Sequence, residues 1–143
     1  KPTVLCGSMY NGTWFIPGGN SWVAKYINDA GGDYMWNDLP ESGSVPLSFE
    51  VVFERSHNAD IWIGATIFND MVSLKTADDR YASFKSVSEQ RIFSPVKRLN
   101  GLGGNDYYEM GIARPDLVLV DFIKILQPSV LDNDELYFYK KLE

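Results

Sequence analysis

One cysteine and one histidine are all that this 143-residue sequence offers as soft or imidazole ligands. Cys6 has no partner for an intrachain disulfide, and with His57 alone no Cys/His zinc set can be assembled. Excess positive charge is also missing. The net charge is −6 and the isoelectric point lies near 4.7, which argues against general binding to a nucleic-acid backbone. No apolar run approaches the roughly 20 residues needed to span a bilayer. Internal repeats, low-complexity tracts and heptads are absent. A lipid anchor at Cys6 is disfavoured, because Leu5 stands where a small residue is expected and no apolar leader precedes it. Lys1-Pro2-Thr3 leads straight into a strand pattern without a signal peptide, so the chain is expected to be a mature protein or an excised piece.

What is present suits one globular domain with its own core: 45% apolar and 22% charged residues. Val4–Ser8 reads as a strand before the Asn11-Gly12 turn. Pro17-Gly18-Gly19 breaks the chain, and Asn20 or Ser21 can cap a helix carrying Val23, Tyr26, Ile27 and Ala30, stopped by Gly31-Gly32. Tyr34–Trp36 is a short strand candidate, and Asn37–Pro46 a polar loop. Ser48 caps a second helix with Phe49, Val52 and Phe53 on its inner side. Asp60–Gly64 reads as a buried strand, and Asp70 caps a short helix through Ala77. Tyr81, Phe84 and Val87 mark a further helical turn or two before an Arg91–Ser94 strand. A last helix spans about Pro115–Gln127, with Asp116, Asp121, Lys124 and Gln127 forming a narrow polar side. Leu136–Tyr139 is a terminal strand or an extended tail. Strands alternating with helices predict an α/β fold, a mostly parallel central sheet with helices on both faces.

In such sheets ligands sit beyond the carboxyl ends of the strands. That places Ser8–Phe15, Asn37–Ser44, Gly64–Asn69 and Asn100–Arg114 at the expected binding edge. Tyr10, Trp14, Phe15, Trp36, Tyr107 and Tyr108 lie on or near it, and as a set they favour a binding surface, although single aromatics can equally close the core. The glycines at 101, 103 and 104 are followed by Asn105-Asp106 rather than Lys and Ser/Thr, so they do not form a phosphate-binding loop. Arg114 can reach a carboxylate or phosphate, or pair locally with Asp116 or Glu109. Asp106 and Glu109 form an acid pair with nothing to place them around a scissile bond. His57 reads as a solvated connector, and no nucleophile elbow is visible. Glu50 stands in the first turn of the Ser48-capped helix. There it favours the helix dipole, or points outward as a docking point for a basic partner.

The order of these motifs resembles the substrate-binding proteins of ABC importers for iron–siderophore complexes, haem and cobalamin. The resemblance rests on Pro17-Gly18-Gly19-Asn20-Ser21 with Ala24 and Ala30-Gly31-Gly32. It continues through Ser48-Phe49-Glu50 leading to Ala59-Asp60-Ile61-Trp62-Ile63, with Asn58-Ala59 where the family pattern has a proline. Tyr81, Phe84 and Val87 before Arg91-Ile92-Phe93 follow, with Glu89-Gln90 in place of Asn-Gly. It closes with Asn105-Asp106-Tyr107-Tyr108-Glu109, Arg114-Pro115-Asp116-Leu117 and Pro128.

The resemblance covers essentially the whole chain but only the second half of such proteins. It implies one Rossmann-like α/β domain over residues 1–143, the C-terminal lobe of a two-lobed periplasmic binding protein, with the N-terminal lobe and inter-lobe helix outside the chain. It implies iron or other metal-complex transport rather than catalysis, in the periplasm or as a cell-envelope lipoprotein. The partners implied are an ABC permease dimer and a chelated ligand: a ferric siderophore or dicitrate, haem or cobalamin. Contact with the membrane comes only through the permease or an upstream lipid anchor. Glu50 matches the glutamate that docks to the permease. Tyr10, Trp14, Trp36, the Asn105–Glu109 cluster and Arg114 map to the ligand side. No resident cofactor and no protein metal-ligand set is expected, which fits carriage of a chelated metal. The alternatives from other classes are a small α/β hydrolase-like enzyme using Asp106, Glu109 and Arg114 on a polar substrate, and a carbohydrate-binding module using Trp14 and Trp36.

Overall fold

Two sheets share one core. The computed structural model describes residues 1–64, 68, 70–95, 115–128 and 135–142. The larger sheet contains β1 (Thr3–Cys6), β4 (Asp33–Tyr34), β6 (Ile61–Ile63), β7 (Ile92–Ser94) and β8 (Lys140–Lys141), in the order β4-β1-β6-β7-β8. The first four are parallel, and β8 closes the edge antiparallel to β7. Val4, Leu5 and Cys6 are all buried, as are Ile61, Trp62 and Ile63. Such unbroken apolar strands belong to a sheet covered on both faces.

The smaller sheet is antiparallel, in the order β2 (Ser8–Tyr10), β3 (Thr13–Pro17) and β5 (Ser44–Ser48). Asn11 and Gly12, with φ of 51° and 80°, turn β2 into β3. Tyr10 pairs with Thr13, so this is a two-residue hairpin, the form that Asn-Gly favours. The sequence reading ended the Asn37–Pro46 loop too late: β5 begins at Ser44. Pro46 is tolerated there because β5 is an edge strand.

Helix α1 (Trp22–Asp29) starts at Ser21, whose hydroxyl accepts from the Ala24 amide at 3.2 Å. The Pro17-Gly18-Gly19-Asn20 segment before it is zipped by backbone bonds to the loop beyond Trp36, from Gly18 N to Gly43 O (2.9 Å) and from Gly19 N to Leu39 O (2.9 Å). Its glycines therefore serve chain-to-chain approach. Helix α1 packs on α5 (Pro115–Leu126), where Tyr26 meets the Phe122 ring at 5.7 Å.

The opposite face carries α2 (Phe49–Ser56), a 3-10 turn (Asp79–Ser83) and the short α4 (Lys85–Ser88); α3 (Met71–Ala77) packs on the 3-10 turn. Ser48 caps α2 through the Val51 amide, and Asp70 forms a capping box with Ser73 at the start of α3. Trp14, Trp62, Tyr81 and Phe84 form the aromatic centre of this side, with ring centroids 5.2–5.9 Å apart. Gln90 holds φ 57° after α4, so the turn where the resembled pattern has Asn-Gly keeps a left-handed residue.

The polar side read onto α5 is corrected at Asp121. This residue is buried, and its carboxylate accepts the amides of Tyr137, Phe138 and Tyr139 at 2.7, 2.7 and 3.0 Å. Lys124 donates to Glu135 O and Gln127 to Ala30 O. Asp121, Lys124 and Gln127 thus satisfy neighbouring backbone, while Asp116 stays exposed.

Candidate functional site

The parallel strands end together, and a depression of about 370 Å³ opens where they end. Its floor is Cys6-Gly7 at the end of β1 and Ile63-Gly64 at the end of β6, with Pro95 beyond β7. The β2–β3 hairpin forms one wall through Ser8, Met9, Tyr10 and Phe15. Pro17, Val23 from the first turn of α1, Ser44 and Tyr139 complete the described outline. This is the carboxyl edge of an open α/β sheet, where ligands bind.

The floor is held from below. Trp14 donates its indole N–H to Cys6 O at 3.0 Å, and Trp62 donates to Gly7 O at 2.7 Å. Burial pushes the Cys6 thiol well above its ordinary range, so it stays protonated and is a poor nucleophile. Burial likewise raises the Tyr34 phenol, which donates to Pro17 O.

Of the residues expected to contact ligand, Tyr10 lines the depression and is 68% exposed. Trp14 and Trp36 are corrected. Trp14 is fully buried, and Trp36, 3% exposed, donates to Ser56 Oγ at 3.0 Å beneath the Arg55 guanidinium. Both indole N–H groups are satisfied inside the protein, so these rings serve the core. Asn105, Asp106, Tyr107, Tyr108, Glu109 and Arg114 lie outside the described residues. Phe15, 40% exposed, is a wall residue that the sequence reading placed at the binding edge but did not map to the ligand side. The signal was there: on β3, Trp14 and Ile16 point inward, so Phe15 between them points out.

Glu50 does not line the depression. Its side chain is 79% exposed at the start of α2, with the Arg80 guanidinium 3.9 Å away. Arg80 is held mainly by Asp78 at 2.8 Å and lies over the Phe49 ring. The outward orientation inferred from the Phe49, Val52 and Phe53 pattern is thus what the helix adopts.

His57 ends α2, with Nδ1 2.8 Å from Phe53 O and its ring stacked on Phe53 at 5.0 Å. It is a partly buried end-of-helix residue rather than a solvated connector. Asp60 precedes β6. Lys85 donates to it at 2.7 Å, and Thr3 donates through both its amide and its hydroxyl. The Lys85 hydrogen bond, reinforced by Thr3, holds the Asp60 carboxyl down at about 2. These contacts join β1, β6 and α4 on the side of the sheet away from the depression, so the shift is structural. Among the described residues, no group of three or more His, Cys, Asp and Glu side chains could hold a metal ion. Among them also, no helix is long and apolar enough to cross a membrane.

No protein-family model matches the sequence. Two uncharacterized lipoproteins of Methanocaldococcus jannaschii are similar to it, 31% identical over 99% of the chain and 28% identical over 98%. The chain spans about a third of those relatives, 32% and 35% of their lengths. Among solved structures, a possible iron-binding (periplasmic solute-binding) protein from Staphylococcus epidermidis superposes with a TM-score of 0.65 at 16% identity, covering 89% of this chain and 45% of the other. A TroA-like periplasmic binding protein, FepB, from Veillonella parvula gives 0.63 at 17% identity over 100% of this chain and 49% of the other. A periplasmic solute binding protein from Veillonella parvula gives 0.66 at 18% identity, over 93% and 38%. The chain therefore has the fold of one lobe of the periplasmic solute-binding proteins: an α/β unit whose mostly parallel sheet is covered on both faces.

Proposed function

We propose that this chain is the C-terminal lobe of an ABC-importer solute-binding protein that captures a chelated metal complex outside the cytoplasmic membrane and delivers it to a permease dimer. The observation that carries the reading is the depression at the carboxyl ends of β1, β6 and β7. It is a half-site: broad, open and mostly apolar, a surface that a facing lobe would turn into an enclosed cavity. The fold shared with solute-binding proteins and the similarity to proteins named lipoproteins support the same reading, including a cell-envelope location.

The ligand in this reading is an iron complex of the ferric siderophore or dicitrate type, or haem or cobalamin. Tyr10 contributes from this lobe, together with the Asn105–Glu109 cluster and Arg114. Glu50 supplies the carboxylate that meets basic side chains of the permease. The protein binds and releases, and no bond is made or broken.

Titration of the full-length protein carrying this chain with ferric siderophores, ferric citrate, haem and cobalamin tests the reading. Binding of at least one, with a dissociation constant of about 1 μM or tighter, is expected. Tight binding of an unrelated solute and of none of these would refute the ligand class.

A further inference from the structure

The tip of the β2–β3 hairpin carries a sequence signal that solute binding does not use. Asn11-Gly12-Thr13 reads Asn-x-Thr with a residue other than proline between, the acceptor pattern for N-linked sugar on exported proteins. Asn11 is the sole asparagine of the chain followed by Ser or Thr at that spacing. The structure puts this triplet where a bulky substituent can be borne. Asn11 and Gly12 are both exposed, and a Cβ placed on Gly12 meets nothing within 4 Å. Asn11 holds φ 51° in the two-residue turn, so the hairpin tip carries its side chain outside the paired strands. None of Asn11, Gly12 and Thr13 lines the depression, so the point of attachment lies outside it.

We infer that Asn11 is an N-glycosylation site, with the sugar standing on the hairpin tip. This rests on the cell-envelope location in the proposed function, because the donor is met outside the cytoplasm. That donor is an oligosaccharide joined through its anomeric carbon to a lipid phosphate. A C–N bond forms from Asn11 Nδ2 to the anomeric carbon as the C–O bond to phosphate breaks. The bonding pair leaves with the lipid phosphate, which also takes up the proton lost from Nδ2, and nothing is oxidised or reduced. In the folded chain Thr13 pairs with Tyr10 on one side and Ser48 on the other. Transfer therefore precedes the closing of β3 between its neighbours. Exposed loop tips are preferred sites of proteolytic cutting, and a sugar on Asn11 shields this one.

The test takes the full-length protein carrying this chain from the cells that make it, after separation of envelope and cytoplasm, and maps its peptides by mass spectrometry. The expected result is envelope protein whose Asn11 peptide carries a sugar mass increment and releases sugar fragment ions. Two variants should lose the increment while keeping the local structure. Asn11→Asp retains a turn pair that suits the hairpin, and Thr13→Val retains the β-branched strand residue. Thr13→Ser preserves the acceptor pattern and should keep the sugar, and circular dichroism should show all three to be folded. Envelope protein with a bare or merely deamidated Asn11 would overturn the inference and leave the location standing. An increment that survives Thr13→Val would overturn the assignment to this triplet. Bare Asn11 on protein found in the cytoplasm would overturn both the inference and the location it rests on.

Discussion

Trp14 and Trp62 lie 5.2 Å apart, ring to ring, and donate to consecutive carbonyls of one strand end, Cys6 O and Gly7 O. The two indoles fix the backbone that floors the depression. Trp62→Phe keeps most of the buried ring but removes the donor to Gly7 O. It should cost about 1–3 kcal/mol, the range for stranding a buried polar group. Urea unfolding at neutral pH measures it.

Gly7 and Gly12 both have positive φ, 85° and 80°, but different surroundings. A Cβ on Gly7 would lie 2.2 Å from Phe15 O, whereas one on Gly12 meets nothing within 4 Å. Gly12→Ala should therefore cost only left-handed strain, about 1–2 kcal/mol. Gly7→Ala should cost considerably more, because the hairpin itself must shift. Equal effects in thermal unfolding would contradict this account of the strand end.

Asp60 makes stability depend on acid. Its carboxyl is held at about 2 against an ordinary value of 3.8. A depressed folded value means a stabilising contribution that is complete above the unfolded pKa. It is lost as the pH falls from near 4 through about 2. Asp60→Asn should lower the unfolding midpoint at pH 7 and flatten its dependence between those two values. An unchanged acid limb would show that Lys85 and Thr3 contribute little through Asp60.

Asp121 anchors the C-terminal segment by accepting three successive amides. Asp121→Ala should destabilise the protein by about 3 kcal/mol or more, since hydrogen bonds to a charged group are each worth about 1.5–3 kcal/mol. Amide exchange at Tyr137–Tyr139 should accelerate ahead of that in β1. Uniform acceleration along the chain would instead indicate global destabilisation.

Glu50→Ala should weaken docking to the permease and leave ligand affinity unchanged. Binding titration and transport by the reconstituted importer separate the two. A loss of ligand affinity would count against the docking role, because Glu50 does not line the depression.

Local rules made much of the fold legible. Ser21, Ser48 and Asp70 each begin a helix because a side-chain oxygen meets an otherwise unpaired amide, and that needs only short-range sequence. The buried strands at Val4–Cys6 and Ile61–Ile63 followed from unbroken apolar runs. The site was harder to read. Trp14 and Trp36 sit next to strand ends in sequence, yet which side each ring takes depends on strand pairing and on distant partners, Trp62 and Ser56. Alternation along β3 could have separated Trp14 from Phe15, had Thr13–Pro17 been recognised as a strand. Nothing local marks Asp121 as an acceptor for amides 16–18 residues further on.

Ser48 belongs to two elements at once. It pairs with Thr13 as the last residue of β5 and caps α2 two residues before Glu50. The hairpin that walls the depression and Glu50 are thus spaced by main-chain bonding, independent of which side chains line the depression. Exposed wall residues such as Tyr10 or Phe15 can be exchanged during evolution while Glu50 keeps its position. On the proposed function, a lobe built this way can acquire a new cargo and still fit an old transporter.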